Sequence, residues 1–227
     1  DNAAVWVRAM TWARMRSDDA ALEDAFKRAA AAPHYDTHRG STLLAVKEGY
    51  AGLPTHAICM DSRLQAFARR ELPPGRSLDA MTLVEMMAMA GEAQNAIYGM
   101  ELRTLCKAED GGVLPSDRQA DCVRIYSTMA SDPDTVEQWM ALSQLVELTA
   151  GAPEGPALRQ LQWLFEQQQK NAKELDHLAI GASDVETMQA ALAKAGRWPP
   201  PADWLPEDER SRSLILTGRP PAETKRK

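Results

Sequence analysis

The chain has 227 residues and a formal net charge of −6, with 44% hydrophobic and 26% charged residues. A chain of this length buries a sizeable core in one large domain or two small ones. Nucleic-acid-binding proteins present a basic surface, and a net negative charge argues against one. No apolar run approaches the ~20 residues of a membrane-spanning helix. We therefore expect no nucleic acid and no membrane span.

Strong helix formers dominate the sequence and strand-like alternation is almost absent, which predicts an all-α fold of about nine helices. Proline and glycine residues mark the ends of most of these helices. The expected spans are 3–16, 20–32, 36–52, 56–71, 77–107, 116–130, 133–149, 156–179 and 184–195. We expect the helices to form a bundle or an irregular array that resembles a helical repeat.

Short motifs support several of these boundaries. Ser116 with Gln119 has the spacing of a capping box, and Ser183 with Glu186 repeats it before the ninth helix. Asp132 followed by proline predicts a helix start at 133. Glycine at position 196 is expected to terminate the ninth helix.

The pattern changes after residue 198. The segment 199–227 contains six prolines and little helical periodicity. We therefore predict a helical domain over 1–198 and an extended Pro-rich tail over 199–227. The apolar residues by which this tail would lie on the domain are Trp204, Leu205, Leu214 and Ile215.

Residues 3–33 resemble a single tetratricopeptide-like helical hairpin. Trp6, Phe26 and Ala29 fall at three signature spacings of that repeat, and Pro33 lies one position before its terminal proline. Other signature positions differ, and no second copy appears at the period of ~34 residues. The resemblance implies a hairpin that presents a surface to a protein partner. Two ordinary amphipathic helices are the alternative.

Two of the three cysteines flank the loop before residue 116. Cys106 lies about one turn before the end of one helix and Cys122 less than two turns into the next. Antiparallel packing of these helices would bring the two Cα atoms to the ~5.5–6 Å separation that a disulfide prefers. We predict a Cys106–Cys122 disulfide, and two separate buried thiols are the alternative. A disulfide favours a periplasmic or other extracytoplasmic location over the cytoplasm.

The candidate metal ligands are His34, His38, His56 and Cys59. Two histidines four residues apart on a helix have zinc-binding geometry, and Asp36, His56 or Cys59 would complete the site. The spacing matches no specific zinc motif, and an exposed position at a helix start explains His34 without a metal. We therefore predict no metal and no other cofactor, and Cys59 is expected to be a buried, unpaired thiol.

Glu101 is the candidate catalytic carboxylate. On a continuous helix it lies on the same face as an apolar, methionine-rich stripe, where a carboxylate loses hydration unless a cation compensates it. An ion pair with Arg103, Arg124 or a more distant arginine is the structural explanation, or a helix break at Gly99 that turns the side chain outward. No phosphate-binding loop, nucleophile elbow or metalloprotease motif is present.

These observations favour a non-enzymatic protein-interaction or structural module that is exported, with no catalytic residues. The alternative is a metal-dependent or carboxylate-based hydrolase. Such an enzyme would use the group His34, His38, His56 and Cys59, or Glu101, and would need these side chains to converge on one point.

Overall fold

The computed structural model describes residues 1–38, 45, 48–49, 99–108, 112–132, 135–150, 154–170 and 184–221. Within these ranges 70% of residues are helical and no strand is present, which confirms the all-α class. The eight helices of the described ranges are α1 (Ala3–Met15), α2 (Asp19–Ala31), α3 (residues 99–105), α4 (Ser116–Met129), α5 (Thr135–Thr149), α6 (Glu154–Lys170), α7 (Asp184–Lys194) and α8 (Glu209–Thr217). The expected helix at 56–71 lies outside the described residues.

α1 and α2 form a hairpin, and both begin at side-chain caps. Asn2 Oδ1 accepts a hydrogen bond from the Ala4 amide, and Asp18 Oδ1 accepts one from the Ala21 amide. These caps satisfy backbone donors that have no partner inside the helix. The facing sides are apolar, and Met10 and Phe26 are completely buried between them.

The predicted helix at 36–52 does not begin at residue 36. Residues 35–38 are not helical, because they are held against the first turn of α1. Asn2 Nδ2 donates to the Asp36 carbonyl at 2.6 Å, and the Asp36 amide donates back to Asn2 Oδ1 at 3.0 Å. Two hydrogen bonds with one asparagine therefore hold this segment in a non-helical conformation.

α4 connects the hairpin to the rest of the helices. It packs on α1 and α2 on one side and on α5 on the other. Arg118 pairs with Glu23 at 2.7 Å, and Lys27 pairs with Asp121 at the same distance. Because the Asp121 side chain is only 10% exposed, its charge requires this cation.

The Cys106–Cys122 disulfide that the loop positions predict is present, with Cα atoms 5.7 Å apart. Both cysteines are buried, and the bond joins the residue after α3 to the second turn of α4. The alternative of two separate thiols is therefore wrong. Cys59 lies outside the described residues.

Ser116 begins α4 as expected, but the predicted capping box is absent. Pro115 occupies the N-cap position, and no side chain caps the helix. The side-chain Nε2 of Gln119 instead donates to the Leu148 carbonyl at 2.9 Å. That carbonyl belongs to the last turn of α5, where helix carbonyls lack an internal partner, so Gln119 serves a contact between helices.

The prediction of an extended tail is wrong over residues 209–217, which form α8. Asp208 Oδ2 accepts from the Ser211 amide at 2.7 Å, and Gly218 ends the helix with a φ of 68°. The prolines lie on either side of this helix and leave its interior free of them. α8 packs on α5 and α6, and Leu214 is buried there.

The segment before α8 lies along α6, as Trp204 led us to expect. The Trp204 ring meets Trp163 edge to face at a centroid distance of 5.0 Å. Arg159 donates to the Trp204 carbonyl at 2.8 Å. Gly196, with a φ of 67°, ends α7 as the sequence predicts. The capping serine predicted at 183 lies outside the described residues.

Candidate functional site

Two adjoining cavities lie among α3, α4, α5, α6, α8 and the loop that the disulfide closes. The smaller has a volume of about 310 Å³ and the larger about 620 Å³. Arg103, Gln144 and Arg210 line both cavities, and we call the pair the α5–α8 groove. At ~30 Å³ per water molecule, the smaller cavity alone would hold about ten waters. Voids in packed cores are far smaller, whereas small-molecule pockets span ~300–1,000 Å³.

α5 lines the groove with one of its two faces. The groove-lining residues recur at helical spacing: Trp139, Met140, Ser143, Gln144, Glu147 and Leu148. The other face carries the buried residues Ala141, Leu142, Leu145 and Val146. Spacings of three and four residues keep each set on one side of a helix, so the same helix that completes the core also provides one wall of the groove.

The smaller cavity is mainly apolar. Its deeper side chains come from five helices and are all buried or half-buried: Leu102, Met129, Met140, Leu158 and Leu214. Met100 and Trp139 also line it and are 65% and 36% exposed. Apolar surface therefore continues from the interior of the cavity to its opening, and the methionines can adapt their shape to a bound group.

Of the polar residues that line the smaller cavity, Tyr126 is the most deeply buried. Tyr126 of α4 is 2% exposed, and its hydroxyl makes no hydrogen bond to any part of the chain that the structure describes. Burial raises the pKa of Tyr126 well above its usual value, while the nearby charge of Arg103 lowers it. The hydroxyl itself has almost no accessible surface, so it is a neutral donor buried behind the cavity wall, and leaving such a donor unsatisfied costs ~1–3 kcal/mol.

Most charges around the smaller cavity already have structural partners. Arg210 forms an ion pair with Glu147. Asp208 caps α8, and its hydrogen bonds with Ser211 lower the pKa of its carboxyl group. Arg103, in contrast, is exposed and makes no ion pair with a described residue. The larger cavity adds one cation, Lys107, and two carboxylates, Glu147 and Glu209.

The disulfide positions two walls of the groove relative to each other. Leu102 precedes Cys106 by one turn of α3, and Tyr126 follows Cys122 by one turn of α4. Residues four apart lie on the same face of a helix. The Cys106–Cys122 bond thus fixes the distance between the α3 side chains and Tyr126, and Cys106 itself lines the larger cavity.

The structure does not place His34 and His38 as a helical pair. Both side chains are exposed on the non-helical segment after α2, and His38 Nδ1 lies 3.0 Å from Asp36 Oδ2. His56 and Cys59 fall outside the described ranges. Among the described residues, no three His, Cys, Asp or Glu side chains are arranged to hold a metal ion.

Glu101 forms an ion pair, and its partner is an arginine far away in the sequence. Arg14 Nη2 lies 2.8 Å from Glu101 Oε1, and Arg14 Nε donates to the same oxygen at 2.9 Å. The Glu101 side chain is 14% exposed. The ion pair agrees with the structural explanation of Glu101, and it joins α1 to α3. Glu101 does not line either cavity of the groove.

A second buried polar cluster, which sequence reasoning missed, joins the segment after α2 to the start of α5. The Tyr35 hydroxyl donates to Glu137 Oε2 at 3.2 Å, and the Thr37 amide donates to Asp132 Oδ2 at 3.1 Å. Burial, followed by the charge of Glu137, raises the pKa of Tyr35 well above its usual value. The sequence around Asp132 indicates only a helix cap. No local pattern indicates its hydrogen bond to a residue 95 positions earlier.

Comparison with known proteins gave no match to a family model, to a curated protein or to a solved structure. The candidate site therefore rests on the geometry described above. None of the helices in the described ranges is both long enough and apolar enough to cross a membrane.

Proposed function

We propose that this chain is a non-enzymatic binding domain that takes a segment of a protein partner into the α5–α8 groove. The observation that carries this proposal is the smaller cavity, which is about 310 Å³ in volume and lined mainly by apolar side chains. A partner that fills it removes apolar surface from water on both sides, which contributes ~25 cal/mol for each Å² buried.

The charges of the groove support binding rather than hydrolysis. A general base must lie within hydrogen-bond reach of the proton that it removes, and it must be available to accept that proton. Glu147 is paired with Arg210, and Asp208 is used as a helix cap. Of the hydrolase candidates that the structure describes, Glu101 is paired with Arg14 and the two histidines are exposed. No observation within the described residues favours the hydrolase.

The disulfide supports export to an oxidising compartment. Disulfides persist in the periplasm and outside the cell, whereas cytosolic reductants keep most thiols reduced. We propose an extracytoplasmic location for this reason. The resemblance of residues 3–33 to a tetratricopeptide-like hairpin fits an interaction domain, and the hairpin's contact with α4 gives it a role in supporting the helix that carries Tyr126.

A peptide-binding experiment with a matched pair of variants tests this function. Peptides would be selected from a random library on the purified, oxidised chain, and their affinities measured by titration calorimetry. Gln144→Trp places a large side chain where the two cavities join, so we expect it to weaken binding at least about tenfold, or ~1.4 kcal/mol.

The control is Gln160→Trp, which adds the same side chain at an exposed position of α6 outside both linings. It should bind the selected peptides as the unmodified chain does. Failure to select any peptide, or equal affinities for Gln144→Trp and Gln160→Trp, would contradict binding in the groove.

A further inference from the structure

We propose that the smaller cavity of the α5–α8 groove binds an uncharged aromatic side chain of a protein partner, of the size of the tryptophan indole. This inference rests on the proposed binding function and specifies the residue that anchors the partner. Three properties of the cavity support it: its volume, the methionine and aromatic side chains of its lining, and the balance of the charges around it.

The volume of the smaller cavity suits a group of two fused rings. The cavity measures about 310 Å³, and an apolar cavity of ~150 Å³ in a protein core is large enough to bind benzene. About twice that volume accepts an indole, whereas a leucine side chain or a single phenyl ring leaves part of the space empty. Because cavity walls without a neighbour lose their dispersion contacts, the larger ring system is favoured.

Three methionines in the lining favour an aromatic ring over an aliphatic side chain. Met100, Met129 and Met140 line the smaller cavity. A thioether sulfur makes favourable contacts with the edge of an aromatic ring at a distance of ~5 Å. The unbranched methionine side chains also adjust their shape to a rigid guest. An aliphatic group of the same volume would fill the cavity but would lack the sulfur–aromatic contacts.

Trp139 provides an aromatic wall that is already held in place. Its ring meets Phe165 edge to face at a centroid distance of 6.0 Å, and its Nε1 donates to Gln162 Oε1 at 3.0 Å. The residue is still 36% exposed, and it lines the smaller cavity. A side chain that is fixed before binding loses little conformational freedom when a second aromatic ring packs against it.

The charges around the groove favour an uncharged ligand. The two cavities are together lined by three cations and three carboxylates: Arg103, Lys107, Arg210, Glu147, Asp208 and Glu209. These charges cancel, and a charged ligand group would lose its hydration in the apolar cavity without gaining a surplus partner. An indole brings one N–H donor and no charge. Gln144, which lines both cavities, carries an amide oxygen that can accept from this donor.

Four defined probes test the anchor by titration calorimetry on the full, oxidised chain. Three are Gly/Ser peptides with blocked ends that differ only in one central residue, which is tryptophan, phenylalanine or leucine. The fourth is free indole. We expect the tryptophan peptide to bind at least about tenfold more tightly than the leucine peptide, with the phenylalanine peptide between them. It should also bind more tightly than free indole, because its main chain adds contacts along the larger cavity.

Two exposed tryptophans provide a matched pair of variants. Trp139→Leu removes the aromatic wall and should weaken binding of the tryptophan peptide about tenfold, with little effect on the leucine peptide. Trp12→Leu makes the same change on α1 at a position that is 54% exposed and lines neither cavity, so it should retain the original affinity. A further variant, Met140→Leu, conserves volume and removes the sulfur, and it should reduce the preference for tryptophan over leucine.

Equal affinities for the tryptophan and leucine peptides, or full preference for tryptophan in both Trp139→Leu and Met140→Leu, would overturn the aromatic anchor. Tighter binding of the phenylalanine peptide than of the tryptophan peptide would overturn the assignment to a two-ring group. Tighter binding of free indole than of the tryptophan peptide would overturn the assignment to a protein partner. If peptides selected from the library still lost affinity with Gln144→Trp, the proposed binding function would stand without the aromatic anchor.

Discussion

Reduction of the Cys106–Cys122 disulfide is expected to lower the free energy of unfolding by about 2–5 kcal/mol, the usual loss for a native disulfide. The bond closes a loop between residues 16 apart in sequence, for which the chain-entropy model gives ~3 kcal/mol. Both cysteines are buried at the junction of α3 and α4, so the cross-link also maintains packed contacts. Urea denaturation with and without reductant measures the difference.

Cysteine variants provide the control. The Cys106→Ser, Cys122→Ser double variant should have the stability of the reduced protein and should not respond to reductant. Thiol titration of the denatured, unreduced chain should find one free thiol of the three cysteines. Three free thiols in protein prepared in an oxidising compartment would contradict both the disulfide and the proposed location.

Leu214→Ala is expected to lower the free energy of unfolding by about 2–5 kcal/mol, the range for truncation of a buried leucine. Leu214 is 3% exposed and packs where α8 meets α5 and α6. The loss comes from removing apolar contacts and leaving a cavity in a segment that the sequence predicts to be an extended tail. Chemical denaturation of the purified variant gives the value.

Leu216→Ala is the matched control, because Leu216 lies on the same helix and is 62% exposed. It should change the free energy of unfolding by less than about 0.5 kcal/mol. Truncation after Arg219 should also have little effect, whereas truncation after Gly196 should cost at least as much as Leu214→Ala. Small and equal losses for both leucine variants would show that α8 does not pack on the body.

Much of the helix pattern could be predicted because its signals are local. Pro33 ends the hairpin, and Gly196 adopts the left-handed conformation that stops α7. The ends of α1 and α2 lie within one residue of the predicted spans. Cys106 and Cys122 could be paired from the sequence because the short loop between two helices restricts where the two residues can lie.

The parts that could not be predicted depend on contacts between distant segments. Arg14 and Glu101 are 87 positions apart, and Tyr35 and Glu137 are 102 apart. No local pattern selects such partners. The groove also depends on segments that are distant in the sequence, because the Tyr126 hydroxyl is left without a partner only when α3, α4 and α5 surround it. α8 has local signals in its Asp208 cap and terminal Gly218, but the prolines on either side favour an extended segment.

The most direct test of binding in the groove is methionine-methyl NMR of the oxidised chain during titration with a selected peptide. Met100, Met129 and Met140 line the smaller cavity, whereas Met10 is buried in the hairpin and Met15 is exposed on α1. Binding in the groove predicts shifts for the three cavity methyls, and unchanged resonances for Met10 and Met15. Shifts confined to Met15, or no shift at any cavity methyl at saturating peptide, would contradict it.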